Sequence, residues 1–455
     1  MAIMSRPPSP SGAPLVGHTI GYARDQFGFV RRSALDCGDV FLADLLGFGE
    51  VCYLTHPAGF ERVLSTDREA FGRSDVFTVA FGEGLLAVEG SRWATQRSRL
   101  EEFFSPGRIR SYAAEMVALT ERRTDRWMDG ETLSLLDEAT ALTLEIICST
   151  LFGRRLDPDG GRALRRAAAD LNAWFTPTSL VLPRSVPTPS RRRFERARTT
   201  LRAQLRNLID ERAAGQRGND LLSALVAASD AEGGDDGEGG HPSAETDGTD
   251  ALSETAIVDQ LVTLLFAGHE TTALALTYAF YELGSDRRVR HRFHGELDEV
   301  LGGECPTPGD VSALSVTERI VTEALRLYPP AHTIPRVATR DVRIDGYHVP
   351  AGTRTHLAVH SVHRDERFYD DPLAFRPARW REAGPESKGY AYVPFGAGPR
   401  TCIGRRFALL EAILVLATIG QDYRLVPQEP LELDPRMSTQ PAGDVPITLR
   451  ERRPS

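Results

Sequence analysis

The sequence predicts a mainly α-helical fold with small β-sheets. From residue 92 to 228, apolar side chains recur at three- and four-residue spacing, as in LSLLDEATALTLEIICSTLFG, and this is the period of amphipathic helices. A second, longer helical pattern follows from Ser253. Around Asp345-Gly346 the pattern changes to alternation, which is typical of strands. At 455 residues, either one large α-rich domain or two ordinary domains would fit.

The longest helix is predicted to begin after Ser253, a favourable N-cap, with Glu254 in its first turn. It reads ETAIVDQLVTLLFAGHETTALALTYAFYEL and ends near Gly284. At a rise of ~1.5 Å per residue, such a helix is about 45 Å long. That length is enough to cross a whole domain.

Shorter elements follow from local signals. The capping-box pattern Ser315-Val-Thr-Glu318 predicts a helix start, and this helix must end by Tyr328 because two prolines follow. Asp345-Gly346 between alternating segments predicts a β-hairpin. The C-terminal PITLRER predicts a further short strand, and the proline-rich segment 176–190 predicts a loop between two helices.

The net charge of −9 comes mostly from one segment of the chain. Residues 229–250, SDAEGGDDGEGGHPSAETDGTD, contain eight acids and no Lys or Arg, which leaves 55 acids against 54 basic residues elsewhere. Such a Gly/Asp/Glu-rich run buries too little apolar surface to order itself. We expect a flexible acidic insertion before the long helix, with a metal-binding or partner-binding segment as the alternative. We expect no nucleic-acid partner.

The cysteines indicate the compartment. All five are scattered, without CxxC or paired spacing: Cys37, Cys52, Cys148, Cys305 and Cys402. This argues against a disulfide framework and a structural zinc site, and it favours a reducing cytoplasm. The first residues, MAIMSRPPSPSGAPLVGH, are too rich in proline and too briefly apolar for a signal peptide or anchor helix. We therefore expect a cytoplasmic protein without a membrane anchor.

One cysteine stands in an unusual loop, FGAGPRTCIGRRFALLEA, residues 395 to 412. A helical pattern begins just after Cys402, and the positive potential of a helix N-terminus favours a thiolate. Gly396 and Gly404 let the backbone approach a flat partner, and Phe395 places an aromatic edge beside the sulfur. Arg400 is placed to meet an anion at the rim. A flat partner with anionic groups, bound by one thiolate, suggests haem.

The loop FGAGPRTCIG resembles the haem-binding loop FxxGxRxCxG of the cytochrome P450 family. The resemblance covers nearly the whole chain in the family's order. It implies a cytochrome P450 fold of the soluble prokaryotic type, with residues 1–455 as one domain. It also implies that haem b (iron protoporphyrin IX) is bound with Cys402 as the axial ligand of the iron. The four other cysteines are interpreted as small buried apolar residues.

A structural triad is implied by the same resemblance. Glu323-Ala-Leu-Arg326 on the capped helix matches the family's Glu-x-x-Arg, and AFRPARW, residues 374–380, matches the segment that supplies the third member, Arg379. The Glu-x-x-Arg spacing alone carries no weight, because Glu89–Arg92 and Glu195–Arg198 share it. The triad is expected to lock the core behind the haem loop.

The long helix carries the expected oxygen-side residues. Ala267-Gly268-His269-Glu270-Thr271-Thr272 resembles the family's segment A/G-G-x-D/E-T-T. Gly268 costs roughly 1 kcal/mol in a helix interior, and we expect the small pair Ala267 and Gly268 to leave room over the haem face. Glu270 and Thr271 are the expected acid–alcohol pair for proton delivery. The alternative is a solvated Glu270 and a Thr271 that bonds to its own helix.

Three further residues match the family's contacts to the haem propionates. Trp93 and Arg97 have the W-xxx-R spacing of an early helix, and Arg336 in HTIPRVA occupies the position of an arginine that follows the triad helix. Trp93 is the expected hydrogen-bond donor, and the arginines are the expected cations. The alternative for each is an ordinary surface residue.

The implied activity is a monooxygenase that inserts one oxygen atom from O2 into a hydrophobic organic substrate, such as a fatty acid, carotenoid or terpenoid-like molecule. The chain has neither a flavin nor an iron–sulfur motif, so the electrons must come from a separate ferredoxin or flavodoxin. A basic face could receive it: Arg97, Arg99, Arg400, Arg405 and Arg406. The alternatives are a peroxide-dependent haem-thiolate enzyme and a non-catalytic haem sensor or carrier.

The resemblance also locates the substrate pocket. Its walls are expected from mostly apolar residues: Phe77, Val79, Phe81, Leu86, Leu180, Leu264, residues 331–334 and Met437.

Overall fold

The computed structural model describes residues 5–156, 158–175, 186–215, 218–230 and 253–452. Over these residues the fold is mainly α-helical with small sheets, as the sequence predicts. The α-helices are Thr19–Arg24, Gln26–Cys37, Pro57–Glu61, Asp75–Phe81, Gly90–Glu101, Pro106–Thr124, Leu135–Leu151, Pro158–Leu171, Pro189–Ala213, Leu221–Asp230, Glu254–Ser285, Arg287–Val300, Ser315–Leu327, Val359–Val362 and Arg405–Asp422.

Twelve short strands make up the β structure of the described residues. They are β1 Val40–Leu45, β2 Gly49–Leu54, β3 Phe71–Gly72, β4 Thr132–Ser134, β5 Ile334–Ala338, β6 Val342–Ile344, β7 Tyr347–Val349, β8 Arg354–Leu357, β9 Tyr423–Pro427, β10 Leu433–Pro435, β11 Thr439–Pro441 and β12 Pro446–Glu451. The main sheet has the order β1-β2-β8-β5-β3, and a second sheet has the order β4-β12-β9. The pairs β6-β7 and β10-β11 are separate hairpins. The strand β12 is the predicted C-terminal strand.

The helix Glu254–Ser285, called the long helix below, forms the centre of the main core. Its Ser253 side chain accepts a hydrogen bond from the backbone N–H of Ala256, which confirms the predicted N-cap. Nearly every residue from Ala256 to Phe266 is buried, because the helix is surrounded by neighbours including Leu135–Leu151. This burial on all faces is typical of a helix in the core of a large domain.

The start of the triad helix differs from the prediction. Ser315 is the first helical residue rather than the N-cap, and Leu314 in the capping position makes no side-chain bond. The carboxylate of Glu296, from the preceding helix, accepts hydrogen bonds from the backbone N–H groups of Val316 and Thr317, at 2.5 and 2.9 Å. The cap is therefore tertiary, and a local sequence pattern could not reveal it. The helix ends before Tyr328, as predicted.

The hairpin β6-β7 turns where the sequence predicts. Ile344 pairs with Tyr347, and the two turn residues Asp345 and Gly346 both have positive φ, 48° and 81°. Two positive φ values define the type I′ turn that Asp-Gly favours.

Two predicted segments fall largely outside the described residues. Of the acidic insertion 229–250, only residues 229–230 are described, at the end of the helix Leu221–Asp230. Of the proline-rich segment 176–190, residues 176–185 are not described, and the helix Pro189–Ala213 already includes the last two. Within the described chain, no helix is both long enough and apolar enough to cross a membrane.

Candidate active site

A cavity of about 1070 Å³ lies between the long helix, the main sheet and the loop of residues 395–404, called the Cys402 loop below. Every residue predicted for the cofactor or for proton delivery lines it: Trp93, Arg97, Ala267, Gly268, Glu270, Thr271, Arg336, Phe395, Gly396, Arg400, Cys402 and Gly404. These residues come from four separate parts of the chain. The fold therefore brings the predicted set together around one space.

The accessible surface of the Cys402 thiol faces this cavity. The backbone N–H of Cys402 donates to the carbonyl of Phe395 at 2.9 Å, which closes the loop. Burial raises the pKa of the thiol, whereas the N–H groups of Gly404 and Arg405, directed at the sulfur, and the nearby Arg97 cation lower it. The loop thus supplies hydrogen-bond donors that would stabilise the thiolate when a metal ion is bound to the sulfur.

Two glycines give the loop its shape. Gly396 and Gly398 have φ values of 71° and 70°, in the left-handed region that favours glycine. A Cβ on Gly398 would overlap the carbonyl oxygen of Leu64, so this position also needs the close backbone approach. Gly404 has an ordinary φ of −83° and stands at the N-terminus of the helix Arg405–Asp422, where its N–H points at the sulfur.

Three arginines share one end of the cavity. Burial is the largest cause that lowers the pKa of Arg73, Arg336 and Arg400. The cations of Arg336 and Arg400 lower the pKa of Arg73 further, and Arg400 also lowers that of Arg336, to about 10. Glu89 is the carboxylate that acts on all three, so the group carries an excess of two positive charges. The Nε of Arg73 is buried without a hydrogen-bond partner among the described residues. Such a cluster fits a ligand with two carboxylates.

Trp93 and Arg97 border the same end. The guanidinium of Arg400 lies 4.6 Å from the ring centroid of Trp93, so this tryptophan is a cation–π partner in the structure. Arg97 donates to the carbonyl of Thr401 at 2.7 Å and to the carboxylate of Glu101 at 2.9 Å. Arg97 therefore braces the Cys402 loop from the neighbouring helix.

The small residues Ala267 and Gly268 of the long helix line the cavity, and Gly268 has a packing role as well. A Cβ on Gly268 would overlap the side chain of Ile147, so this glycine permits close packing with the helix Leu135–Leu151. Thr271 donates to the carbonyl of Ala267 at 2.7 Å, and Thr143 donates to the carbonyl of His269 at 2.9 Å. The helix stays α-helical through this segment.

Glu270 and Thr271 are not bonded to each other in the part of the chain that the structure describes. The hydroxyl of Thr271 bonds to its own helix, as in the alternative interpretation. Glu270 is buried rather than solvated, and its carboxylate accepts hydrogen bonds from Ser438, from Gln440 at 2.6 Å and from Asn172 at 2.8 Å. None of these three donors was predicted from the sequence.

The triad residues Glu323, Arg326 and Arg379 meet at one buried carboxylate. The fully buried carboxylate of Glu323 accepts from Nε and Nη2 of Arg326, at 3.0 and 2.9 Å, and from Nε of Arg379 at 2.8 Å. Trp380 Nε1 and the backbone N–H of Arg376 add two donors, both at 2.9 Å. Five donors thus share one carboxylate, which satisfies a charge that would otherwise be costly to bury.

The predicted substrate residues divide into two groups. Cavity-lining positions are Phe77, Leu86, Leu264, residues 331–334 and Met437. Phe81 instead packs in the core, 5.2 Å from the ring centroid of Phe266, and Val79 packs against the same core. Leu180 lies outside the described residues. Sequence reasoning missed Arg73, since nothing in its neighbourhood distinguishes it from a surface arginine.

Comparisons with known proteins agree with this geometry. The family model described as Cytochrome P450 matches residues 7–447. The chain belongs to the cytochrome P450 family. It is 33% identical over 430 residues to cyclooctat-9-en-7-ol 5-monooxygenase of Streptomyces melanosporofaciens, covering 92% of this chain and 89% of that one. It is 31% identical to pentalenene oxygenase of Streptomyces avermitilis, covering 94% of this chain and 93% of that one.

The fold agrees as well. The crystal structure of the cytochrome P450DA haem domain matches with a TM-score of 0.85 and 26% identity, over 99% of each chain. The protein is an oxidoreductase of the cytochrome P450 monooxygenase type with a haem-iron cofactor. The residues present fit such a group: a cavity-facing thiol flanked by backbone N–H groups, and an arginine cluster with two uncompensated charges.

Proposed function

We propose that this cytochrome P450 binds haem b through Cys402 and inserts one oxygen atom from O2 into a C–H bond of a cyclic terpenoid. The observation that carries the proposal is the cavity itself. It has a single thiol on one side and the helix segment Ala267–Thr272 on the other, and most of the remaining wall is apolar. Haem with a thiolate ligand supplies reductive activation of O2.

The protein groups have separate roles in this proposal. Cys402 would hold the haem iron through its thiolate, and the N–H groups of Gly404 and Arg405 would stabilise its negative charge. Arg73, Arg336 and Arg400 bind the two propionates, and their excess of two charges favours two carboxylates. Phe395, Gly396, Ala267 and Gly268 shape the two faces of the cleft.

On the open side, Glu270 and Thr271 are the acid and the alcohol that relay protons towards the reacting oxygen. For this step the Thr271 hydroxyl must turn from the carbonyl of Ala267, to which it donates at 2.7 Å. Apolar side chains at Leu264, Phe77 and Met437 exclude water around the substrate.

The substrate class rests on the relatives and on the cavity wall. The relatives above are named for cyclooctat-9-en-7-ol and for pentalenene. The wall formed by Phe77, Leu86, Leu264 and Met437 is apolar and suits a compact hydrocarbon skeleton. Fatty acids and carotenoids become the second choice.

We propose a ferredoxin or flavodoxin as the electron donor, in the cytoplasm, where the five free cysteines remain reduced. The basic face is smaller than expected, because Arg97 and Arg400 line the cavity. Arg406 is exposed, and the side chain of Arg405 is 43% exposed although it lies 3.5 Å from Glu386. These residues favour an acidic partner near the thiolate side.

The proposal is tested with pentalenene and cyclooctat-9-en-7-ol as probes. Each is titrated into the purified protein while the Soret band is followed for a shift in spin state. Probes that bind are then turned over with NADH and a surrogate ferredoxin and reductase. A product with one added oxygen atom supports the proposal. Turnover that needs only added peroxide favours the peroxide-dependent alternative, and binding without any turnover favours a sensor or carrier.

A further inference from the structure

The carboxylate of Glu270 is fixed by three side chains from outside its own helix. Ser438 and Gln440 both donate to Oε1, and the Gln440 distance is 2.6 Å. Asn172 donates to Oε2 at 2.8 Å. Both oxygens are therefore engaged, and the side chain is buried at 8% exposure. We call Asn172, Ser438 and Gln440 the Glu270 clamp.

The clamp joins the long helix to two other elements, and one clamp residue, Ser438, lines the cavity. Asn172 begins the short helical segment Asn172–Phe175, and the other two residues belong to the tip and second strand of the hairpin β10-β11. Gln440 also donates to the hydroxyl of Ser438 at 2.9 Å, so the two hairpin residues support each other. Hydrogen bonds to a carboxylate are the stronger, charge-assisted kind.

The hairpin tip is also a substrate-facing surface. Met437 and Ser438 are adjacent in sequence and both line the cavity. A molecule that contacts Met437 therefore touches the segment that holds Glu270.

We propose that Asn172, Ser438 and Gln440 are positioning residues that orient Glu270 for proton delivery during oxygen reduction. The inference rests on the proposed monooxygenase function. Each of the three donates to the carboxylate and none touches the Cys402 loop in the described structure, so they act through Glu270. Without them the carboxylate loses its fixed direction, and protons reach the reacting oxygen more slowly.

The chemistry gives a readout that needs no known substrate. Two electrons and two protons convert O2 to hydrogen peroxide, whereas four electrons and four protons convert it to two water molecules. Electrons come from NADH through a surrogate ferredoxin and reductase. Slower proton delivery therefore raises the peroxide released per NADH and increases the solvent deuterium isotope effect on NADH oxidation.

The test variants are Ser438→Ala with Gln440→Leu, and separately Asn172→Leu from the other element. We expect the reduction of O2 to water to be roughly tenfold slower, with a larger solvent deuterium isotope effect on NADH oxidation. This loss is smaller than the ~10²-fold or more that a general acid itself contributes. The reduced CO spectrum should remain unchanged. The single variant Ser438→Thr keeps the hydroxyl, so its peroxide fraction and isotope effect should equal those of the wild type.

Thr439→Val is the matched control for a merely structural role. Its hydroxyl is buried in the same hairpin but donates to the carbonyl of Pro329 at 2.6 Å and not to Glu270. We expect it to lower stability without changing the peroxide fraction. Wild-type values of the peroxide fraction and isotope effect in the clamp variants would overturn the inference alone. A wild-type protein without a haem–thiolate spectrum would overturn the proposed function and the inference with it.

Discussion

Glu411 is a buried carboxyl whose removal should stabilise the protein at neutral pH. It lies inside the helix Arg405–Asp422 with 1% exposure, and its Oε1 has no hydrogen-bond partner in the described part of the chain. Burial raises its pKa well above the usual value, so the folded protein keeps it protonated. We predict that Glu411→Gln, which keeps the shape and removes the titration, raises the free energy of unfolding.

The size of the effect depends on pH in a defined direction. In the unfolded chain a glutamate titrates near pH ~4.3. Between that pH and the raised pKa, the unfolded state binds fewer protons than the folded state, so stability falls as pH rises. One such group contributes a slope of about 1.4 kcal/mol per pH unit. The advantage of Glu411→Gln should therefore be absent near pH ~4 and grow by about 1.4 kcal/mol for each unit above it, up to the raised pKa.

Urea unfolding followed by far-ultraviolet circular dichroism, at about pH 4, 5 and 6, measures this slope for both proteins. Glu296→Gln is the matched control, because its carboxylate caps the triad helix through the N–H groups of Val316 and Thr317. That substitution should destabilise by about 1 kcal/mol instead. Equal pH slopes for wild type and Glu411→Gln would refute the reasoning.

Three further predictions concern the site and its support. Gly398→Ala should lower the free energy of unfolding by roughly 1–3 kcal/mol more than Gly396→Ala, because only a Cβ at position 398 meets the carbonyl of Leu64. Equal losses for the two variants in urea unfolding would contradict this. Glu323→Gln should lower the free energy of unfolding by about 3–5 kcal/mol in the same assay, because it leaves the buried guanidinium groups of Arg326 and Arg379 without their charge partner. A loss under about 1 kcal/mol would argue against a carboxylate charge shared by both arginines. Arg73→Gln should speed haem transfer to apomyoglobin roughly tenfold, as expected from losing a charge-assisted hydrogen bond; an unchanged rate would remove Arg73 from the propionate site.

Local sequence signals predicted the elements whose determinants are contiguous. The long helix with its Ser253 cap, the Asp345-Gly346 hairpin and the end of the triad helix before Tyr328 are all as expected. In each case, the residues that decide the structure lie within a few positions of one another. The Cys402 loop could be assigned for the same reason, because its pattern is dense and unbroken.

Contacts distant in sequence could not be read in this way. Asn172 and Ser438 lie 98 and 168 residues from Glu270 along the chain, and only the fold brings them to its carboxylate. The Glu296 cap replaces the predicted capping box for the same reason. Gly268 lines the cavity, but the sequence could not show that its missing Cβ also accommodates Ile147 on another helix. Side-chain periodicity shows which face of a helix is buried. It does not show which residues of other elements that face contacts.

The most direct test of the central claim is the absorption spectrum of the purified protein, reduced with dithionite and exposed to CO. The geometry around Cys402 predicts a strongly red-shifted Soret band, the signature of a haem–thiolate bond, and its loss in Cys402→Ala. A protein that takes up no haem, or a band typical of histidine ligation that Cys402→Ala leaves unchanged, would contradict the account.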